Sequence, residues 1–252
     1  MSLLKLDKAT IRFGGLIAVN SVSFQIEEGQ VFGLIGPNGA GKTTCFNLIT
    51  GVYKPTSGSI QFQGKELSGT PINKIANLGI ARTFQNIRLY KSLSVLENVV
   101  VGAFLRHKVG LLNALAYLPK TIKETEQLRA EAMDLLKVLD LQNVAHVRSA
   151  DLSYGMQRRL EIARAMATQP KLLLLDEPAA GMNPFEKEDL MNTVKRIRDE
   201  HGKTVLVIEH DMKFVMNLCD KIFVLDHGEE IAQGLPAEIR SNPKVIAAYL
   251  GE

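Results

Sequence analysis

Cysteine is nearly absent. Cys45 and Cys219 are the two among 252 residues. They lie far apart and without metal-type spacing, which excludes a cysteine-ligated metal centre. They suit a reducing cytosol, where each is expected to be a small buried hydrophobe. Long apolar runs are also missing. "LLLL" at Leu172 to Leu175 and "LENVVVGAFL" fall well short of the roughly 20 residues of a membrane span, and "MSLLKLDKATIRF" lacks the apolar region of a signal peptide. A chain that is soluble, or peripheral to a membrane, is expected. Strong charge of one sign is lacking: the net charge is +3. The basic pairs Arg158-Arg159 and Lys195-Arg196 are interspersed with Glu161, Asp199 and Glu200. They are expected to be solvated surface rather than the concentrated basic stripe of a nucleic-acid binder. Repeats, low-complexity linkers and heptad runs do not occur.

With 46% hydrophobic and 23% charged residues, the chain can bury a sizeable core, as one large domain or as a core with a subdomain. "LLKLDKATIRF" and "VSFQIEEG" alternate as strands do. "QVFGLIG" is a short buried strand ending in glycines, and a helix begins near Lys42. "SGSIQFQGKEL" reads as strand and turn, and "PINKIANLGIARTF" as a short helix followed by a strand. From about Leu93 to Gln169, helical periodicity replaces strand signals. Alternation then resumes through "KLLLLDEP", "NPFEKEDLMNTVKRIRDEHG", "KTVLVIEH", "DMKFVMNLCD" and "KIFVLDHGEEIAQG", and a short helix "NPKVIAAYLGE" closes the chain. Alternation of this kind implies a mainly parallel sheet flanked by helices, interrupted by an inserted helical subdomain.

"GPNGAGKTT", Gly36 to Thr44, matches the phosphate-loop pattern and sits between strand and helix as that chemistry requires. Gly36, Gly39 and Gly41 let the backbone of Gly36, Pro37, Asn38, Gly39, Ala40 and Gly41 curl so that successive N–H groups face phosphate oxygens. Lys42 is expected to reach the β- and γ-phosphates, the Thr43 hydroxyl to ligate Mg²⁺, and Thr44 to hydrogen-bond the α-phosphate. "KLLLLDEP" delivers Asp176 at the carboxyl end of a strand, where it would hold Mg²⁺. Glu177 follows, pointing the other way, and could orient or deprotonate an attacking water. His210 ends the strand "TVLVIEH" on the same sheet edge and could hydrogen-bond the γ-phosphate. Gln85, ending a strand where the helical stretch begins, could touch metal or water, or be a plain surface residue. His107, His146, His201 and His227 have no such context and are expected at the surface. "LSYGMQRRLEIARAMA" places Ser153 and Gly155 at a helix start, a second anion-binding turn more than a hundred residues from the first.

GPNGAGKTT, then Gln85, LSYGMQ, LLLLDEP and His210, in that order, resemble the ATP-binding cassette (ABC) ATPases over almost the whole chain. The resemblance implies a P-loop NTPase, RecA-like α/β core with an antiparallel β subdomain and an inserted α-helical subdomain. Within one ABC domain spanning 1–252, residues 1–88 and 168–252 would form the core with its β subdomain. Residues 89–167 would form the helical subdomain carrying the signature motif. It implies Walker A and Walker B motifs, a Q-loop at Gln85, Glu177 as catalytic residue and His210 as switch histidine. It further implies Mg²⁺-dependent ATP hydrolysis in a head-to-tail dimer, homomeric or heteromeric, in which Ser153 and Gly155 of one subunit meet the other's ATP. Phe13 occupies the place of the aromatic that stacks on adenine, with Val19 beside it; a strand-core role for Phe13 is equally open. Tyr154 and Met156 depart from the usual signature LSGGQ, and Asn183 stands where many members have Asp.

"RTFQNIRLY", "YGMQRRLEIARAMATQP", "LLLDEPAAGMNP", "IEHDMKFVM", "NPKVIAAYLGE" and the stretch between His107 and Leu128 look like the ATP-binding subunits of bacterial branched-chain amino-acid transporters. Urea and amide importers and the lipopolysaccharide-export ATPase share parts of the pattern. That subgroup implies import driven through two separate transmembrane permease subunits. A periplasmic solute-binding protein would deliver the solute, and the ATPase would be peripheral on the cytoplasmic face of the inner (plasma) membrane. Asn86 to Asn98 would receive the permease, with Ile87, Leu89, Tyr90, Leu93 and Val95 either lining a groove or belonging to the core. A non-transport ABC ATPase acting on nucleic acid, and a nucleotide kinase, fit less: the first usually has two cassettes or a coiled coil, and the second needs neither LSYGMQ nor His210.

Overall fold

The structure, a computed structural model, describes residues 2–104 and 119–250. His107 and most of the stretch following it lie outside the described residues. By contacts the chain divides into two compact units, Met1–Gln85 with Lys171–Glu252, and Asn86–Pro170.

The first unit is built on two sheets. Strands β1 (Ser2–Phe13) and β2 (Leu16–Glu27) form a long antiparallel pair. With β4 (Ser57–Phe62) and β5 (Lys65–Glu66) they make a four-stranded sheet in the order β2-β1-β4-β5. The second sheet runs β10-β9-β3-β8-β7-β6. Its strands are β3 (Val31–Ile35), β6 (Ile80–Arg82), β7 (Leu172–Asp176), β8 (Thr204–Ile208), β9 (Lys221–Asp226) and β10 (Glu229–Gly234). All pairings in it are parallel except the β9–β10 hairpin. Every residue of β3, β7 and β8 is buried, as in a sheet covered on both faces. That explains why these segments read as unbroken apolar runs rather than alternating ones. One core joins the sheets: the Phe24 ring of β2 packs 5.3 Å from Phe32 and 5.0 Å from Phe223.

Helices α1 (Lys42–Ile49) and α2 (Ile72–Asn77) follow β3 and β5. After β7 come α6 (Pro184–Asp199) and, after β8, α7 (Met212–Leu218); α8 (Pro236–Arg240) and α9 (Pro243–Leu250) close the chain. Asn183 caps α6 in a capping box with Glu186, so the neutral amide does the work of an N-terminal acceptor at this position. Asp211 caps α7 and pairs with Lys187 at 2.5 Å.

In the second unit α3 (Val95–Phe104) packs on both α4 (Pro119–Val138) and α5 (Tyr154–Met166). Val95 is fully buried, whereas Ile87, Leu89 and Leu93 are half-buried and Tyr90 is exposed. Thus of the five apolar residues considered for a groove, Val95 is core. Among the described residues no helix is long and apolar enough to cross a membrane.

Candidate functional site

The phosphate loop is held in its curled form by its own chain. A Cβ on Gly36 would sit 2.0 Å from the Leu225 carbonyl oxygen. Gly41, at φ 101°, would place one 2.5 Å from that of Ala18, so neither position tolerates a side chain. Ala40 N–H donates to the Pro37 carbonyl, and Lys42 Nζ donates to the carbonyls of Gly36 (2.7 Å) and Pro37 (2.8 Å). Lys42 is buried, and desolvation pulls its pKa down; the Glu177 and Asp176 carboxylates act the other way and hold its proton. Thr43 is exposed at the start of α1 and Thr44 half-buried. Val19 is fully buried, 3.5 Å from where a Gly41 Cβ would be, and so backs the loop. Phe13 is 44% exposed at the end of β1 and meets Tyr53 edge-on at 5.1 Å. Its ring is therefore not core, and the core alternative for it falls.

Asp176 closes β7, and its Oδ2 accepts a 2.7 Å hydrogen bond from the Arg82 guanidinium. Arg82 also donates to Asn47 Oδ1 of α1 at 2.7 Å and lies over the Phe46 and Phe84 rings. The alternation of a strand predicts that Glu177 points away from Asp176. The chain departs from that pattern: Glu177 adopts φ 46°, a strained conformation for a non-glycine residue, and its N–H bonds to the Ile208 carbonyl. That turn brings both carboxylates into range of Lys42. Gln85 is exposed three residues beyond β6, and its Nε2 donates to Glu177 Oε2 at 3.1 Å. His210 lies two residues beyond the end of β8 rather than at it, and its Nδ1 stands 3.9 Å from Glu177 Oε2. The structure therefore gathers Lys42, Gln85, Asp176, Glu177 and His210 at one edge of the parallel sheet, at or just beyond the carboxyl ends of its strands. His146, His201 and His227 are exposed, as expected.

Two residues missing from the sequence reading hold this edge together. Arg82 is one. Glu209 is the other: it is fully buried, and its two oxygens accept the Ala179 N–H (2.7 Å) and the His210 N–H (3.1 Å). It thereby ties the turn after Glu177 to the histidine, although burial raises its own pKa. A carboxylate ending the apolar run "TVLVI" was the available signal. Glu209→Gln turns one of the two acceptors into a donor facing an N–H. The chain is expected to lose about 1–3 kcal/mol of stability, read as a lower urea midpoint with unchanged slope, together with a drop in ATP turnover.

In the second unit Ser153 caps α5, and its Oγ accepts the Met156 N–H at 3.4 Å. Gly155 is buried and Tyr154 is 44% exposed. Gln157 Nε2 bonds to the Leu152 carbonyl. The expectation of a solvated Arg158-Arg159 pair is corrected here. Arg158 is 0% exposed, because its guanidinium pairs with Glu161 at 2.8 Å and lies over the Tyr154 ring.

These features define a phosphate-loop ATPase cassette. The ABC transporter family profile matches residues 19–180, and the chain belongs to that family. A second profile, described as branched-chain amino acid ATP-binding cassette transporter, matches residues 229–252. The chain is 48% identical over 250 residues to a high-affinity branched-chain amino acid transport ATP-binding protein, BraF, of Pseudomonas aeruginosa, covering 99% of this chain and 98% of that one. It is 46% identical, with the same coverage, to LivG of Escherichia coli, which carries the same description. The fold matches the ADP conformation of MJ1267, an ATP-binding cassette of an ABC transporter. The TM-score there is 0.87 and the identity 34%, over 100% of both chains. It also matches the dimeric ABC transporter cassette MJ0796 at TM-score 0.77 and 27% identity, over 92% of this chain and 98% of that one.

Proposed function

We propose that this chain is the ATP-hydrolysing subunit of a branched-chain amino-acid importer. The observation that carries the reading is near-full-length identity to transport ATP-binding proteins of that class, including the tail at 229–252. The fold and site support the chemistry. The N–H groups from Gly36 to Thr44, Pro37 excepted, and the Lys42 ammonium receive the phosphates of ATP. Phe13, exposed at the tip of β1, receives the adenine. Glu177 acts as general base toward the attacking water, held by Gln85, and His210 donates to the γ-phosphate. Thr43, Gln85 and Asp176 offer the hard oxygen donors that Mg²⁺ takes. Among the described residues no cluster of three or more His, Cys, Asp or Glu could hold a metal by itself, so the metal would need the nucleotide's phosphates as well. Bound there, Mg²⁺ would neutralise charge between the β- and γ-phosphates. Ser153 and Gly155 would complete the site of a second cassette in a head-to-tail dimer, homomeric or paired with a related ATPase. With no helix of its own able to cross a membrane, among those described, the chain would dock from the cytoplasmic side on two permease subunits served by a periplasmic binding protein.

Reconstitution with its two permeases in liposomes tests this. ATPase activity is expected to rise when binding protein loaded with leucine, isoleucine or valine is added. Stimulation by urea or an amide instead, or by no solute, overturns the amino-acid reading.

A further inference from the structure

Within the second unit an unbroken polar chain runs from the signature turn to the segment that follows Gln85. Arg158 Nη2 donates to the Tyr154 hydroxyl at 3.2 Å, and Arg158 Nη1 to Glu161 Oε2 at 2.8 Å. The other oxygen, Glu161 Oε1, accepts the backbone N–H of Arg88 at 3.2 Å. Arg158 is 0% and Glu161 2% exposed. Two residues further on, the same segment is clamped again. Asn98 accepts the Tyr90 N–H and donates to the Tyr90 carbonyl, which also takes the Ser149 hydroxyl; the Tyr90 ring faces the Arg164 guanidinium of α5 at 5.5 Å. The segment is thus tied to α5 at Glu161 and at Arg164, while the Tyr90 ring stays half exposed.

A buried ion pair is a costly way to stabilise a helix, since apolar residues of similar volume do as well or better. Directional contacts fix one element on another at named atoms, and that is the use to which buried polar pairs are best suited. We propose that Tyr154, Arg158 and Glu161 are positioning residues that transmit displacement of residues 88–90 to the Ser153–Gly155 turn. On this account Tyr154, the departure from LSGGQ, links the turn to the buried arginine and thence to Arg88. The direction of use rests on the transport reading, in which a permease presses on this segment; the link itself does not.

The test uses Tyr154→Phe, which removes only the hydroxyl acceptor, and Arg88→Pro, which removes the N–H that Glu161 accepts together with the side chain. Arg88→Ala keeps that N–H and is the control. On the isolated chain, amide hydrogen exchange at Met156 and Gln157 is expected to speed up several-fold in Arg88→Pro and to stay at the wild-type rate in Arg88→Ala. In liposomes with permeases, solute stimulation of ATPase is expected to fall about 5-fold or more in each of Tyr154→Phe and Arg88→Pro. It should fall no further in the double variant, because both cut one chain. If Arg88→Pro does not fold, Glu161→Gln breaks the chain at the neighbouring link, because its one carbonyl oxygen can accept from Arg158 or from the Arg88 N–H but not from both. Unchanged exchange at Met156 and Gln157, or additive losses in the double variant, overturns the link. Altered exchange together with a wild type that no solute stimulates overturns the transport reading and leaves the link standing.

Discussion

Replacing Glu177 by Gln is expected to lower steady-state ATP turnover by about 10²–10⁴-fold, the usual contribution of a general base, while ATP affinity changes little. The reasons lie in the geometry. Glutamine keeps an oxygen to accept from Gln85 Nε2 and fits the same turn at φ 46°, so the site stays assembled; it loses only the capacity to take a proton from water. Lys42 retains Asp176 as a compensating carboxylate. With binding intact and hydrolysis blocked, the variant should accumulate as an ATP-bound dimer, seen by size-exclusion chromatography with and without ATP. Turnover at the wild-type rate would remove Glu177 from the role of base.

Lys42→Ala is expected to weaken ATP binding by roughly 10²–10⁴-fold. Two charge-assisted contacts to phosphate, at about 1.5–3 kcal/mol each, correspond to that range. The loop also loses the two bonds from Nζ to Gly36 and Pro37 that hold it curled. Thermal stability without nucleotide should move little by comparison. Burial disfavours the charged lysine, as its lowered pKa records, so folding gains little from it. Calorimetric titration of ATP into the variant measures the first effect and a thermal melt the second. Retained affinity would mean that the loop's backbone amides alone bind the nucleotide.

How far the sequence could be read depends on where each residue's partner lies. The phosphate loop was legible because its glycines and lysine act through local backbone shape, and β3, β7 and β8 because full burial leaves an uninterrupted apolar run. Asp176 was legible as the last residue of such a run. Arg82 and Glu209 were not, because each needs a partner remote in sequence, Asp176 for the one and Ala179 for the other. Arg158 was hidden for a different reason, since its partners Tyr154 and Glu161 lie within one helical turn of it. On a helix, charge pattern suggests a wet face, and only Glu161 and Tyr154 arranged around it make burial tolerable. The turn at Glu177 departs from the two-residue alternation because that residue lies just past the end of β7, where the strand's period no longer applies.

The strands β6 and β7 are parallel neighbours, Ile80 against Leu172 and Arg82 against Leu174, and the chain between them contains the entire second unit. In topological terms the helical unit is one crossover connection, the same kind of link that a single helix makes elsewhere in such sheets. The entropic cost of closing a connection rises only logarithmically with its length. A crossover enlarged to the size of a domain therefore burdens the sheet little more than a short one. Its interior can be rebuilt without altering the register that places Asp176 and Glu177 at the carboxyl edge of the sheet.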